Sequence, residues 1–86
     1  MFSLEFSNQA RNFLKRLDDH IFKRIISRIE KLKNNPIPSD VKFIGRDKDE
    51  RIFRYRIGDY RALYKLKDKE KIILITKIDK RARVYD

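Results

Sequence analysis

The chain lacks cysteine and tryptophan, and its 86 residues hold one histidine, two glycines and two prolines. Without cysteine there are no disulfides and no thiolate metal sites, and oxidising and reducing compartments fit equally well. The lone His20 cannot form a histidine metal cluster, and it falls at a turn between helices, where it reads as a surface residue. No segment approaches the roughly 20 apolar residues that span a bilayer. Met1 to Phe6 lacks the basic start and long apolar stretch of a signal peptide, so a cytoplasmic location is expected. Linkers, internal repeats and low-complexity tracts are missing, and residues 1–86 read as one domain. Negative charge is scarce too: 13 acidic residues face 23 Lys and Arg, for a net charge of +10.

What is present is strongly patterned. Apolar residues make up 41% of the chain and charged ones 42%, and the apolar ones recur at regular spacings, so the chain folds around one modest, highly solvated core. The positive excess is uneven. Residues 1–41 hold 8 Lys/Arg against 5 Asp/Glu, and residues 42–86 hold 15 against 8. Such a basic domain reads first as a nucleic-acid binder, with an acidic protein partner or an anionic membrane surface as competing readings.

Phe2, Leu4 and Phe6 alternate with Ser3 and Glu5, which predicts a short strand with one buried face. Ser7 or Asn8 can cap the helix that follows, with Ala10, Phe13, Leu14 and Leu17 at helical spacing. Asp18-Asp19 restarts the chain into a second helix whose stripe is Phe22, Ile25, Ile26, Ile29 and Leu32, with Lys23, Arg24, Arg28 and Lys31 mostly on its solvated side. Asn34-Asn35-Pro36 ends it, giving an antiparallel helical hairpin. A short strand over Val41 to Ile44 and a polar turn from Gly45 to Glu50 come next.

The most telling segment is a basic β-hairpin. Ile52 to Ile57 and Tyr60 to Leu66 flank Gly58-Asp59, a two-residue turn in which Gly accepts positive φ at the first central position. That register sets Ile57 opposite Tyr60 and Arg56 opposite Arg61, with Arg54 on the same side. Three guanidinium groups then share one patch, although like charges placed opposite destabilise a plain sheet. Lys67 to Glu70 turns the chain into Ile72 to Ile78, which is apolar on both faces and reads as a central strand. With a four-residue loop there, Leu63 is expected opposite Leu74 and Arg61 opposite Thr76. One face then carries Arg54, Arg56, Arg61, Leu63, Lys65, Leu74 and Thr76. The other carries Phe53, Tyr55, Ile57, Tyr60, Ala62, Tyr64, Ile73 and Ile75, and should receive the helices. The expected fold is α+β: an N-terminal strand, then a helical hairpin on one face of a three- to four-stranded antiparallel sheet, its basic concave face open.

An arginine-rich face suits phosphate chemistry. RNA cleavage without a metal needs only attack of a 2′-hydroxyl on the adjacent phosphate, stabilisation of charge on the phosphoryl oxygens, and departure of the 5′-oxygen. Arg holds phosphate through paired N–H donors, and stabilising developing charge is often the largest catalytic effect. Arg54, Arg56 and Arg61 can supply it, joined by Arg81 if the basic tail folds back, with Tyr85 stacking on a base or orienting a phosphate. Arg is a poor general base, and Asp79 and Asp86, carboxylates near the basic tail, read as salt-bridge partners. The phosphate-binding face is legible and the acid/base pair is not.

The element order resembles the RelE/ParE superfamily of toxin–antitoxin toxins. The run from Phe53 to Tyr64 is similar to that family's R-x-R-x-G-x-Y-R-x-x-Y signature, and Lys80-Arg81 with Val84-Tyr85 to its closing H/K-R…V-Y motif. The chain looks most like a RelE-type toxin, which implies a ribosome-dependent endoribonuclease cutting messenger RNA in the A site, with no metal and no cofactor. The resemblance implies that Arg61 steadies the transition-state phosphate, Arg81 protonates the leaving oxygen and Tyr85 orients the substrate. Arg54 and Arg56 stand where RelE enzymes often hold lysines, one of them proposed as the base. Lys65, Lys77, Lys80 and Arg83 are expected to touch RNA around them. The implied partners are the ribosome and messenger RNA, and a small acidic RelB-like antitoxin through which the complex binds operator DNA; no membrane is expected. A ParE-like inhibitor of DNA gyrase and a non-catalytic RNA- or antitoxin-binding relative are the alternatives.

Overall fold

The computed structural model describes residues 1–80, and Arg81, Arg83 and Tyr85 lie outside the described residues. The chain runs β1 (Ser3–Phe6), α1 (Asn8–Lys15), α2 (Asp19–Glu30), a 3₁₀ turn (Lys31–Lys33), β2 (Val41–Asp47), β3 (Glu50–Ile57), β4 (Tyr60–Lys67) and β5 (Ile72–Lys80). The α+β class is as expected. The sheet has five strands, however, in the order β1-β5-β4-β3-β2. β1 adds the extra one by pairing parallel with β5, Ser3 opposite Ile72 through Phe6 opposite Ile75. Its parallel mate lies about seventy residues away in sequence, so alternation within β1 gives no sign of it.

Both helices lie on one face. Ala10 and Leu14 of α1, and Ile25 and Ile29 of α2, join Leu32 and the inner residues of the sheet in a single core. Those inner residues are Phe53, Tyr55, Ile57, Tyr60, Ala62, Tyr64, Leu66, Ile73, Ile75 and Ile78, all buried. Burying each large aliphatic side chain contributes about 1.5–3 kcal/mol, which makes this face the main source of stability. The Tyr64 hydroxyl donates to the Pro36 carbonyl at 2.6 Å, tying the segment after α2 to the sheet. Burial pushes the Tyr64 phenol well above the usual range, so it serves as a neutral donor.

Three turns set the register. Gly58 has φ +60° and Asp59 does not go positive, the pattern of the II′ turn that the sequence suggests. The strands around it pair as expected, Ile57 opposite Tyr60 and Arg56 opposite Arg61. The β2–β3 connection differs from expectation. β2 continues to Asp47, so the turn is only Lys48-Asp49, with φ +51° and +72°. Two consecutive positive φ values make a I′-like turn without the glycine that usually signals one. The third turn, after β4, leaves Lys67 opposite Ile72 and not within the loop, with Lys71 at φ +60°.

Candidate nucleic-acid interface

The sheet face away from the helices is assembled by strand alternation. One row across it runs Lys42, Arg54, Leu63, Lys77, and the next runs Arg56, Arg61, Asp79. Arg54 and Arg61 are half-buried, whereas Lys42, Arg56 and Lys77 are exposed. Arg56 Nε donates to the Gly58 carbonyl at 3.4 Å, holding that side chain over its own turn. These two rows hold five cations and one carboxylate. Anionic groups laid along them would meet several donors at once.

Lys42 is the residue that sequence reasoning missed. It lies on β2 directly opposite Arg54. Extending the alternation of the hairpin across one more strand would have found it.

Two expected pairings are corrected. Leu63 faces Lys77, not Leu74, and Arg61 faces Asp79, not Thr76. The cause is a β-bulge: Tyr64 pairs with Ile75 and Leu63 with Lys77, so Thr76 is an extra residue. The bulge is held by side chains. Thr76 Oγ1 donates to the Leu63 carbonyl at 3.2 Å, and Ser7 Oγ donates to the Thr76 carbonyl at 2.8 Å. Ser7 is also the cap of α1, accepting from Ala10 N at 3.1 Å. Where β1 ends, the Gln9 amide takes over the edge of β5, donating to the Ile78 carbonyl at 2.9 Å and accepting from Ile78 N at 3.0 Å.

The opposite end of the same face is different. Lys65 Nζ lies 2.8 Å from Asp47 and 3.9 Å from Glu50, and Lys67 Nζ lies 3.8 Å from Glu50. The hydrogen bond from Lys65 holds the Asp47 carboxyl below its usual range, and the same bond raises Lys65. Lys65 is therefore on the open face but in the grip of carboxylates. Lys80 pairs with Tyr60 and so falls, by alternation, on the side of the helices. The structure brings Arg54, Arg56, Arg61 and Lys77 together, and does not bring Lys65 or Lys80 to them.

On the helical side, Arg28 is not simply solvated. Its Nε donates to the Tyr55 hydroxyl at 3.2 Å, its other end meets Asp40 at 3.3 Å, and its guanidinium lies 5.4 Å from the Tyr55 ring centroid. The bond to Tyr55 is the main cause of its raised pKa. Among the described residues no cluster of three His, Asp or Glu is placed to hold a metal ion. No described helix is long and apolar enough to cross a membrane.

Comparison with known proteins places this geometry. A family model described as the ParE toxin of type II toxin–antitoxin systems matches residues 4–85. A curated protein of Methanocaldococcus jannaschii, named "Putative toxin RelE1", is 35% identical over 85 residues, covering 98% of this chain and 94% of the relative. The archaeal RelE–RelB complex of Pyrococcus horikoshii contains a chain of the same fold, with TM-score 0.85, 28% identity, and coverage of 96% of this chain and 98% of that one. The toxin–antitoxin complex RelBE2 of Mycobacterium tuberculosis gives TM-score 0.76 and 26% identity over 93% of this chain and 98% of its own.

Proposed function

We propose, from the premise that this chain belongs to the ParE toxin family of type II toxin–antitoxin systems, that it acts as a RelE-like endoribonuclease cutting messenger RNA in the ribosomal A site. The observation that carries the reading is the pair of rows Lys42-Arg54-Leu63-Lys77 and Arg56-Arg61-Asp79, five cations against one carboxylate on an open sheet face. The attacking 2′-hydroxyl, the phosphate and the leaving 5′-oxygen all belong to the RNA. The protein's task is to align them and to stabilise charge on the phosphoryl oxygens. Arg61, half-buried between Arg56 and Asp79, is the residue assigned to the transition-state phosphate. Arg54 and Arg56 hold the flanking backbone, and Lys42 and Lys77 extend the track. Arg81 and Tyr85, beyond the described residues, are assigned to the leaving oxygen and to substrate orientation, and Arg83 to RNA contact. The reaction calls for no metal or cofactor.

The ribosome supplies the remaining alignment, which places the protein in the cytoplasm, where translation occurs. Its proposed keeper is an acidic antitoxin of RelB type. That assignment is supported by the net charge of +10 and by relatives crystallised as RelE–RelB complexes. Operator binding by the pair would run through the antitoxin. The test is primer extension on ribosomes halted on a defined message. New breaks in the A-site codon are expected with the antitoxin-free protein, and an intact message at every dose refutes the reading.

A second reading, poisoning of DNA gyrase, is favoured by one observation, the ParE description of the matching family model. It predicts loss of gyrase supercoiling while translation in the same extract continues.

A further inference from the structure

We infer that Asp79 is the general base of this site, the group that takes the proton from the attacking 2′-hydroxyl. The inference rests on the nuclease reading and supplies what the arginines cannot, since a guanidinium stays protonated and has no acceptor atom.

The placement of Asp79 is a consequence of the bulge. Ile73, Ile75 and Ile78 are all fully buried against the helices. In a plain strand, residues 75 and 78 point to opposite faces, and residues 77 and 79 share the face of residue 75. A regular β5 would thus drive Lys77 and Asp79 into the core and leave Ile78 on the open face. The extra residue Thr76 exchanges them. Ile78 completes the core, and Asp79 arrives opposite Arg61. Bulges commonly re-aim a side chain beside a functional site, and this one is pinned from three sides by Ser7, Gln9 and Leu63.

The local chemistry fits a base. Side chains directly opposite on a sheet have Cβ atoms about 4.5–5.5 Å apart, so a phosphate gripped by Arg61 has its neighbouring ribose within reach of residue 79. Asp79 is the one carboxylate in the two arginine-bearing rows among the described residues. Its Oδ1 accepts the backbone N–H of Lys80 at 2.7 Å, which fixes the carboxylate. In the step, the Asp79 carboxylate accepts the 2′-hydroxyl proton as the O2′–P bond forms. The P–O5′ bond breaks, and the 5′-oxygen takes up a proton through the Arg81 assigned to it above, which solvent reprotonates. The products are a 2′,3′-cyclic phosphate and a 5′-hydroxyl, and Asp79 returns its proton to solvent.

The rival role for Asp79 is to temper the charge of Arg56 and Arg61, and the experiment separates the two. Single-turnover cleavage of ribosome-bound message is measured for the parent, Asp79→Asn, Asp79→Glu and Arg61→Ala, after thermal melts show each variant folded. Removing a general base costs about 10²–10⁴-fold. Asp79→Asn is expected to lose at least 100-fold in kcat at unchanged KM. The loss should persist on a message whose scissile 5′-oxygen is replaced by sulfur, because a better leaving group replaces an acid and not a base. Asp79→Glu should recover part of the rate. A loss of less than about threefold, a loss confined to KM, a rescue by sulfur, or a Glu variant no better than Asn each overturns the base while leaving the nuclease reading intact. No cleavage by the parent overturns both.

Discussion

The two ends of the open sheet face carry the same kind of residue and treat it in opposite ways. At the Gly58 end, Lys42, Arg54, Arg56, Arg61 and Lys77 share two rows with a single carboxylate, Asp79. At the Lys48 end, Lys65 and Lys67 stand against Asp47 and Glu50, within 2.8–3.9 Å. Positive charge alone therefore does not define the site, because both ends have it. The difference lies in where the counter-charge comes from. At the Lys48 end, the chain neutralises its own lysines and secures the β2–β3 hairpin. At the Gly58 end, five cations share two rows with one carboxylate, and a polyanion suits that excess of positive charge.

The largest expected effect is at the arginine end. Arg61→Ala should lower cleavage of ribosome-bound message by about 10²–10³-fold or more, the usual consequence of removing one transition-state donor, with the melting temperature little changed. Quenched-flow or gel-based single-turnover assays read this directly.

The comparison sharpens when the quiet end is unmasked. Asp47→Asn with Glu50→Gln releases Lys65 and Lys67 from their carboxylates. Each extra cation that reaches single-stranded RNA adds about 0.7 to the salt slope of binding, so the double variant should bind more steeply by about 1–1.5. A titration of fluorescent RNA at several salt concentrations checks it. An unchanged slope would mean that this end never meets RNA, whatever its charge.

The two hairpin tips differ as well. Gly58 sits at φ +60°, and a Cβ there would lie 3.3 Å from the Arg24 guanidinium, so Gly58→Ala should cost about 1–2 kcal/mol. Asp49 sits at φ +72° with no glycine to accommodate it, so Asp49→Gly should stabilise by about 0.5–1 kcal/mol. Urea unfolding of the two variants gives opposite shifts in midpoint.

The smallest effect concerns pH. The Asp47 carboxyl is held below its ordinary value of 3.8 by the hydrogen bond from Lys65. A group whose pKa falls on folding contributes stability above the unfolded value and loses it as pH drops through the folded one. Acid unfolding of Asp47→Asn should thus be slightly less steep below about pH 4 than that of the parent, and the two curves should run parallel above it. The pair is exposed, so the difference is slight.

Much of this was legible in the sequence, and the rest was hidden for physical reasons. The Gly58 hairpin and the split of its faces follow from local rules, a glycine at the turn and strict alternation, and the structure has them as read. The Lys48-Asp49 turn was hidden because two non-glycine residues adopt the positive φ that the sequence rules reserve for Gly or Asn. β1 was legible as a strand, but its parallel pairing with β5 depends on contacts far apart in sequence. The bulge at Thr76 was the costliest omission. Ile72 to Ile78 is apolar at five of seven positions, and an extra residue in such a run leaves no clear break in the pattern. Asp79 consequently had no place on the face, and the two rows lost their one carboxylate. Lys42 was hidden only because the alternation was not carried across β2.

The most direct test of the account sets the two ends side by side. Single-turnover cleavage of message in the ribosomal A site is measured for Arg54→Ala/Arg56→Ala/Arg61→Ala and for Lys65→Ala/Lys67→Ala, both confirmed as folded. The account predicts that the arginine variant loses at least about 10³-fold and the lysine variant no more than several-fold. Equal losses at both ends would contradict it, since the face would then work through its total charge and not through its arginine end.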